Sequence, residues 1–245
     1  MKLEITVPSS ISEIPLVNYQ KFLKLQESSN DEELIAQKMI EIFCGIELKD
    51  VVKMKLTSVN ELVNHFNTIF SVKPKFQPTF KIGEIEYGFI PDLENISFGE
   101  YVDLDNYLPK WDDFHKAMAV MYRPIIKRKG DKYEIMQYNG AAEFSDLMQY
   151  APMDVAISAS VFFCTLGSEL LNATLNYLKT ETNKMMKEGY STLTHEPSLE
   201  KNGVGIQASM DLLKATLQNM TKLQDTDYLN VLPIYPLKSK KTKSN

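Results

Sequence analysis

Hydrophobic positions in this chain alternate between two spacings, and each switch predicts a change of element. Leu3, Ile5 and Val7 alternate with polar residues, which predicts a short strand closed by Pro8. Pro15 suits a first helical turn, and Leu16, Tyr19, Phe22 and Leu23 mark one face behind it. A second helix is predicted from a cap at Asn30, with Glu33 at capping-box spacing. Its face is Ile35, Met39, Ile42 and Phe43, and Gly45 ends it. A third begins at Ser58, with Glu61 three residues on and a stripe of Val59, Leu62, Val63, Phe66, Ile69 and Phe70. Amphipathic helices this close in sequence predict a small helical bundle over residues 1–75.

The period then shortens to two. Phe80, Ile82, Ile85, Tyr87 and Phe89 flank Gly83-Glu84, a β-hairpin pattern bounded by Pro78 and Pro91. Helical spacing returns over Phe114–Tyr122 and is ended by Pro124. A second hairpin is predicted from Ile125 to Met136, turning at Gly130-Asp131, and a short helix at Phe144, Leu147 and Met148. Pro152 opens the longest helical pattern, carried by Val155, Ala159, Phe162, Phe163, Leu166, Leu170, Leu175 and Leu178 to about Glu188. Unbroken, it makes a rod of about 54 Å, against a diameter of roughly 46 Å for a compact globule of this length. The alternative is a kink at Gly167. These elements make up a region of residues 76–190. The fold class is α+β and predominantly helical: bundle, two hairpins, one long helix, C-terminal helix and extended arm.

The C-terminal part is patterned for contact. After a loop, residues 191–224 hold a predicted helix whose Ile206, Met210, Leu213, Leu217 and Met220 recur at alternating steps of four and three. This narrow seam is what helix–helix packing uses, within the chain or between chains. Residues 225–245 form the arm. Tyr228, Leu229, Val231, Leu232, Ile234, Tyr235 and Leu237 are interrupted by Pro233 and Pro236, which forbid a helix and push the preceding residues towards extended conformations. Such a segment is too apolar for a solvated linker. It is expected to dock in an apolar groove or on a sheet edge of a neighbouring subunit; the alternative is its own body. The candidate protein-interface residues are therefore Ile206, Met210, Leu213, Leu217, Met220, Tyr228, Leu232, Ile234, Tyr235 and Leu237.

Charge narrows the partners. The net charge is −5, and with Lys238, Lys240, Lys241 and Lys243 set aside residues 1–237 carry −9. An acidic body is poorly suited to wrapping nucleic acid, so contact there is left to the terminal lysines, which otherwise form a solvated tail. Cys44 and Cys164 sit in apolar helical patterns and read as small core residues in a reducing compartment. The opening Met1-Lys2-Leu3-Glu4 predicts no secretory leader. The charge-free run between Asp154 and Glu169 is shorter than the roughly 18–20 residues that span a bilayer.

No chemistry-bearing pattern emerges. His65, His115 and His195 are isolated, without zinc spacing. Phosphate-binding glycine loops and a nucleophile elbow are missing from the sequence. Glu100, Asp103 and Asp105 offer oxygens to a hard cation, but acids favouring a helix N-terminus explain them as well. Lys127, Arg128, Lys129 and Lys132 make the second hairpin basic at its turn: a solvated turn, or one facing phosphate or an acidic neighbour. Of the twelve methionines, Met39, Met118, Met121, Met148, Met210 and Met220 lie on predicted helix faces, where they fill a core or form an adaptable contact surface. The expectation is a protein without catalytic residues, cofactor, metal or small-molecule substrate.

The segment Ile96-Ser97-Phe98-Gly99-Glu100-Tyr101-Val102-Asp103-Leu104, with His115-Lys116-Ala117-Met118-Ala119-Val120-Met121-Tyr122-Arg123-Pro124, resembles small virion or tail-assembly proteins of tailed bacteriophages, those of crAss-like phages above all. The opening Ile11-Ser12-Glu13-Ile14-Pro15-Leu16 and Tyr19-Gln20-Lys21-Phe22 is similar in style. The likeness spans about residues 8–180 and contains no catalytic motif, so it transfers no site residue. It implies a structural subunit of the tail or portal-proximal region, or an assembly chaperone absent from the mature particle. The implied partners are copies of itself and other phage structural proteins, not a membrane. The implied location is the virion, and the host cytoplasm during assembly.

Overall fold

The computed structural model describes residues 5–187 and residues 228, 229, 231, 232 and 234. The chain divides into two compact units: Met1–Ser158 with Asp227–Asn245, and Ala159–Thr226. In the first unit, α1 (Leu16–Ser28), α2 (Glu32–Cys44), the short α3 (Leu48–Val51) and α4 (Leu56–Ser71) form the helical part. Two hairpins follow, β1 (Thr79–Ile82) with β2 (Ile85–Phe89), and β3 (Tyr122–Lys129) with β4 (Lys132–Ile135). Between them lie α5 (Phe98–Tyr107) and α6 (Phe114–Met121), and after them α7 (Ser145–Met148). α8 (Met153–Lys187) begins in the first unit and continues into the second. The expected α+β, mostly helical fold is what the chain adopts.

Aromatic rings fill the space between α1, α2 and α4. Phe43 lies 5.2 Å from Phe66 and 5.6 Å from Phe70 between ring centroids, and Phe22 and Tyr19 close the cluster from α1. On α4 the buried positions are Val59, Val63, Phe66 and Phe70, an i, i+4, i+7, i+11 stripe. α2 turns its face differently from expectation. Met39 and Phe43 are buried as predicted, but Ala36 and Ile40 accompany them while Ile35 and Ile42 stay half-buried. Ala36 leaves room for a close helix approach, which large-residue counting undervalues. α1 has no side-chain cap. Its Leu16 and Val17 N–H groups donate to Ala151 and Gln149 carbonyls, and Met153 N–H returns a bond to Ile14, tying the start of α1 to the start of α8.

The four strands form one antiparallel meander in the order β1-β2-β3-β4. Both two-residue turns place glycine first with positive φ, 57° at Gly83 and 60° at Gly130, the backbone that a tight hairpin of this hand requires. Gly88 answers a different need: a Cβ there would come within 2.5 Å of the Tyr133 ring, which crosses it from β4.

Several boundaries differ from expectation. Ile5–Val7 forms no strand, because none of the four strands pairs with it. The cap of α2 is Asp31, not Asn30; its Oδ1 accepts from Glu33 and Leu34 N–H, each at 3.1 Å. α4 starts at Leu56, so Ser58 lies inside the first turn. α8 passes Gly167 without a break in the helix. The predicted loop and seam helix, with Ile206, Met210, Leu213, Leu217 and Met220, lie outside the described residues.

Candidate protein interface

One face of α4 carries Val59, Val63, Phe66 and Phe70 into the core; its shoulder carries Asn60 and Asn67. Seven residues is almost two helical turns, so both amides lie on one side of the helix, about 10.5 Å apart along its axis. Three residues of extended chain cover about 10 Å. The C-terminal segment uses that match. Asn67 Nδ2 donates to the Val231 carbonyl at 2.8 Å while Val231 N–H donates to Asn67 Oδ1 at 3.2 Å. Asn60 makes the same two bonds with Ile234, each 2.9 Å. Each amide thus supplies one donor and one acceptor to a single residue's main chain, as a neighbouring strand would. A third bond runs from Tyr19 Oη to the Tyr228 carbonyl, 2.8 Å.

Apolar packing completes the seat. Leu229 and Val231 are buried, Ile234 is half-buried, and Leu232 is 52% exposed. Trp111, the chain's single tryptophan, stands edge-on to Tyr19 at 5.3 Å and to Tyr228 at 6.0 Å. Burial, with Tyr228 adding to it, holds the Tyr19 phenol far above its ordinary range, so the hydroxyl stays a donor.

Of the predicted interface residues, Tyr228 is therefore placed on the chain's own α1 and Ile234 on its α4, where a neighbouring subunit was the first expectation, while Leu232 is exposed. Tyr235 and Leu237 lie outside the described residues. Asn60, Asn67 and Trp111 were not singled out from sequence, and Tyr19 only as part of the first helix's apolar face. The available signal was a pair of asparagines seven apart beside an apolar stripe.

A second polar site lies in the acidic segment. Ser97 Oγ accepts from Glu100 N–H, and Ser97 N–H donates to Glu100 Oε2 at 2.7 Å, a complete capping box opening α5. The other carboxylate oxygen accepts from Arg123 at 2.5 Å, and both side chains are under a tenth exposed. Tyr138 lies against the guanidinium and donates to Asp103. Burial pushes the Glu100 carboxyl up, but the bonds from Ser97 and Arg123 outweigh it and leave it below the usual range. Two of the three acids considered for a cation are thus taken by a guanidinium and a phenol. Among the described residues no three His, Cys, Asp or Glu side chains gather to hold a metal.

The remaining candidates have local roles. Gln20, buried in α1, donates to the Trp111 carbonyl at 2.7 Å and lies 3.0 Å from His115 Nδ1; burial keeps His115 below its ordinary range. His65 donates to the Pro8 carbonyl. Lys127 and Arg128 of the basic hairpin pair with Glu134 and Glu86. Met39, Met118, Met121 and Met148 are fully buried, which is core filling. Cys44 and Cys164 are free and half-buried, and burial pushes the Cys44 thiol up to about 11. In α8, Met153–Glu181 contains an 18-residue window of mean hydropathy 1.4, long and apolar enough to cross a membrane; soluble core helices pass the same test. The charge-free run stops at Glu169, and only a window that tolerates charges reaches this length.

No family model, curated protein or solved structure matches the chain.

Proposed function

We propose that this chain is a non-enzymatic structural subunit of a tailed-phage virion, a tail or portal-proximal ring component that works through protein–protein contacts. The observation that carries the reading is the extended C-terminal segment, gripped through its main chain by Asn60 and Asn67. A segment held this way is an attachment device, and ring and shell subunits use such arms to bind copies of themselves. The phage assignment rests on the resemblance across residues 8–180. The same grip favours a second reading, an assembly chaperone, because a main-chain clamp accepts a client segment with little regard to its side chains. Mass spectrometry of purified particles beside the infected-cell lysate tests both. Stoichiometric presence in particles supports the subunit. Presence in the lysate alone moves the assignment to the chaperone. Absence from both overturns the phage reading.

A further inference from the structure

We propose that the Asn60–Asn67 face of α4 is an exchangeable acceptor, and that its occupant in the assembled state is the C-terminal segment of a second copy of this chain. This deepens the structural-subunit reading by naming the contact and the partner.

The first ground is the kind of bond. Among the described residues, four hydrogen bonds run between an asparagine amide and the backbone of Val231 or Ile234, and another ends on the Tyr228 carbonyl. A second copy presents the same backbone groups and the same Leu229 and Val231 side chains. The seat therefore makes identical contacts with its own segment or a neighbour's, and only the covalent connection distinguishes them.

The second ground is that connection. Residues 188–227 join the end of α8 to Tyr228. That many residues reach at most about 130 Å when extended, well beyond the width of a neighbouring body. Closing a contact within one chain gains less over a contact between chains as the connecting length grows. A ring or shell holds neighbouring segments close by, so assembly itself shifts occupancy from self to neighbour. Reciprocal exchange closes a two-fold dimer, and head-to-tail exchange closes a ring.

The test uses two full-length variants that each lack one half of the contact. Asn60→Ala/Asn67→Ala keeps the segment and removes the clamp. Val231→Pro/Ile234→Pro keeps the clamp and removes the two N–H donors it needs. Each variant holds its own segment more weakly than the parent, so self-competition is reduced. Mixed at equal concentration, the pair should form a one-to-one complex by native mass spectrometry and sedimentation velocity. Its affinity should be at least about tenfold tighter than that of either variant for itself, the loss expected from removing paired hydrogen bonds. Two folded variants that sediment as separate monomers when mixed overturn the proposal.

A second measurement does not depend on how those variants fold. Isotopically heavy and light copies carrying Asn64→Cys and Leu232→Cys, positions between the clamp residues and between their targets, are mixed up to about 1 mM and joined with a short bismaleimide. Cross-linked 64–232 peptide pairs of mixed isotope, rising with concentration, support exchange; pairs of a single isotope only, at every concentration, overturn it. Neither result depends on whether virions contain the chain, so exchange and the virion assignment stand or fall separately.

Discussion

The Asn60–Asn67 clamp and the Glu100–Arg123 pair are both polar attachments within the first unit, yet they hold in opposite ways. The pair joins two specific side chains, both charged and nearly fully buried. It tolerates neither partner's loss, because the survivor is left as an uncompensated buried charge. The clamp joins neutral amides to main chain, at half-buried positions. It is indifferent to charge and largely to the identity of what it holds. The first arrangement locks α5 to β3; the second fastens a segment that arrives from far along the chain and leaves it replaceable.

That contrast is open to measurement, and the largest effect should come from the charged side. Arg123→Met leaves Glu100 buried without its partner and should cost about 3–5 kcal/mol in urea unfolding. Glu100→Gln/Arg123→Met should recover much of that loss. A single variant as stable as the parent would remove the distinction between the two sites.

Next in size is the clamp itself. Asn60→Ala/Asn67→Ala should loosen the C-terminal segment by about 2–3 kcal/mol, from four hydrogen bonds of modest net value. The signature is loss of amide-exchange protection at Val231 and Ile234 with the rest of the unit unchanged. A global collapse of protection would mean that the segment is part of the core, not an attachment.

Tyr19→Phe should cost about 1 kcal/mol. It keeps the ring against Phe70 and Trp111 and removes only the bond to the Tyr228 carbonyl. The loss should appear as faster exchange or proteolysis near Tyr228, at nearly constant unfolding midpoint.

The smallest effects are those of pH. Glu100 has a depressed folded-state value, so its contribution is present above the ordinary carboxylate value of 4.5 and is lost as the pH falls through the folded value. His115 is also depressed, with Lys116, Asp113 and Asp146 around it. Its unfolded form binds the proton first, so stability begins to fall as the pH drops below 6.5 and goes on falling towards the folded value. His115→Gln should flatten the part of the stability–pH curve just below 6.5. The clamp holds no titrating group, so the segment's protection should fall with acid only as far as the whole unit does.

Both hairpins, the ends of α6 and the start of α8 were legible because each rests on short-range chemistry. Gly83 and Gly130 permit tight turns, Pro152 precedes a helix, and Pro124 keeps Arg123 out of the helical region, although it lies inside β3, which starts at Tyr122 and not at the expected Ile125. The cap of α2 was legible to within one residue, since Asn30 and Asp31 both carry capping side chains and it is Asp31 that accepts from the Glu33 and Leu34 N–H groups. α5 was legible in part: Ser97 and Glu100 stand at capping-box spacing, and acids at a helix N-terminus account for Glu100 and Asp103 as well as a cation would. That Glu100 meets Arg123 was not legible, because a helix and most of a second separate them in sequence and no local pattern pairs them.

Sequence alone determined that the C-terminal segment is no helix and seeks cover, because Pro233 and Pro236 exclude a helix and its apolar residues are poorly solvated. Which surface covers it was a tertiary decision. Asn60 and Asn67 are ordinary polar residues on a helix shoulder until packing of the neighbouring aromatic stripe fixes how α4 is turned. Only then do their amides stand in the line and at the spacing that an extended backbone can meet. A segment's conformation is a local property of its own residues, whereas its partner is set by groups brought together across more than 160 positions of chain, as between Asn67 and Val231.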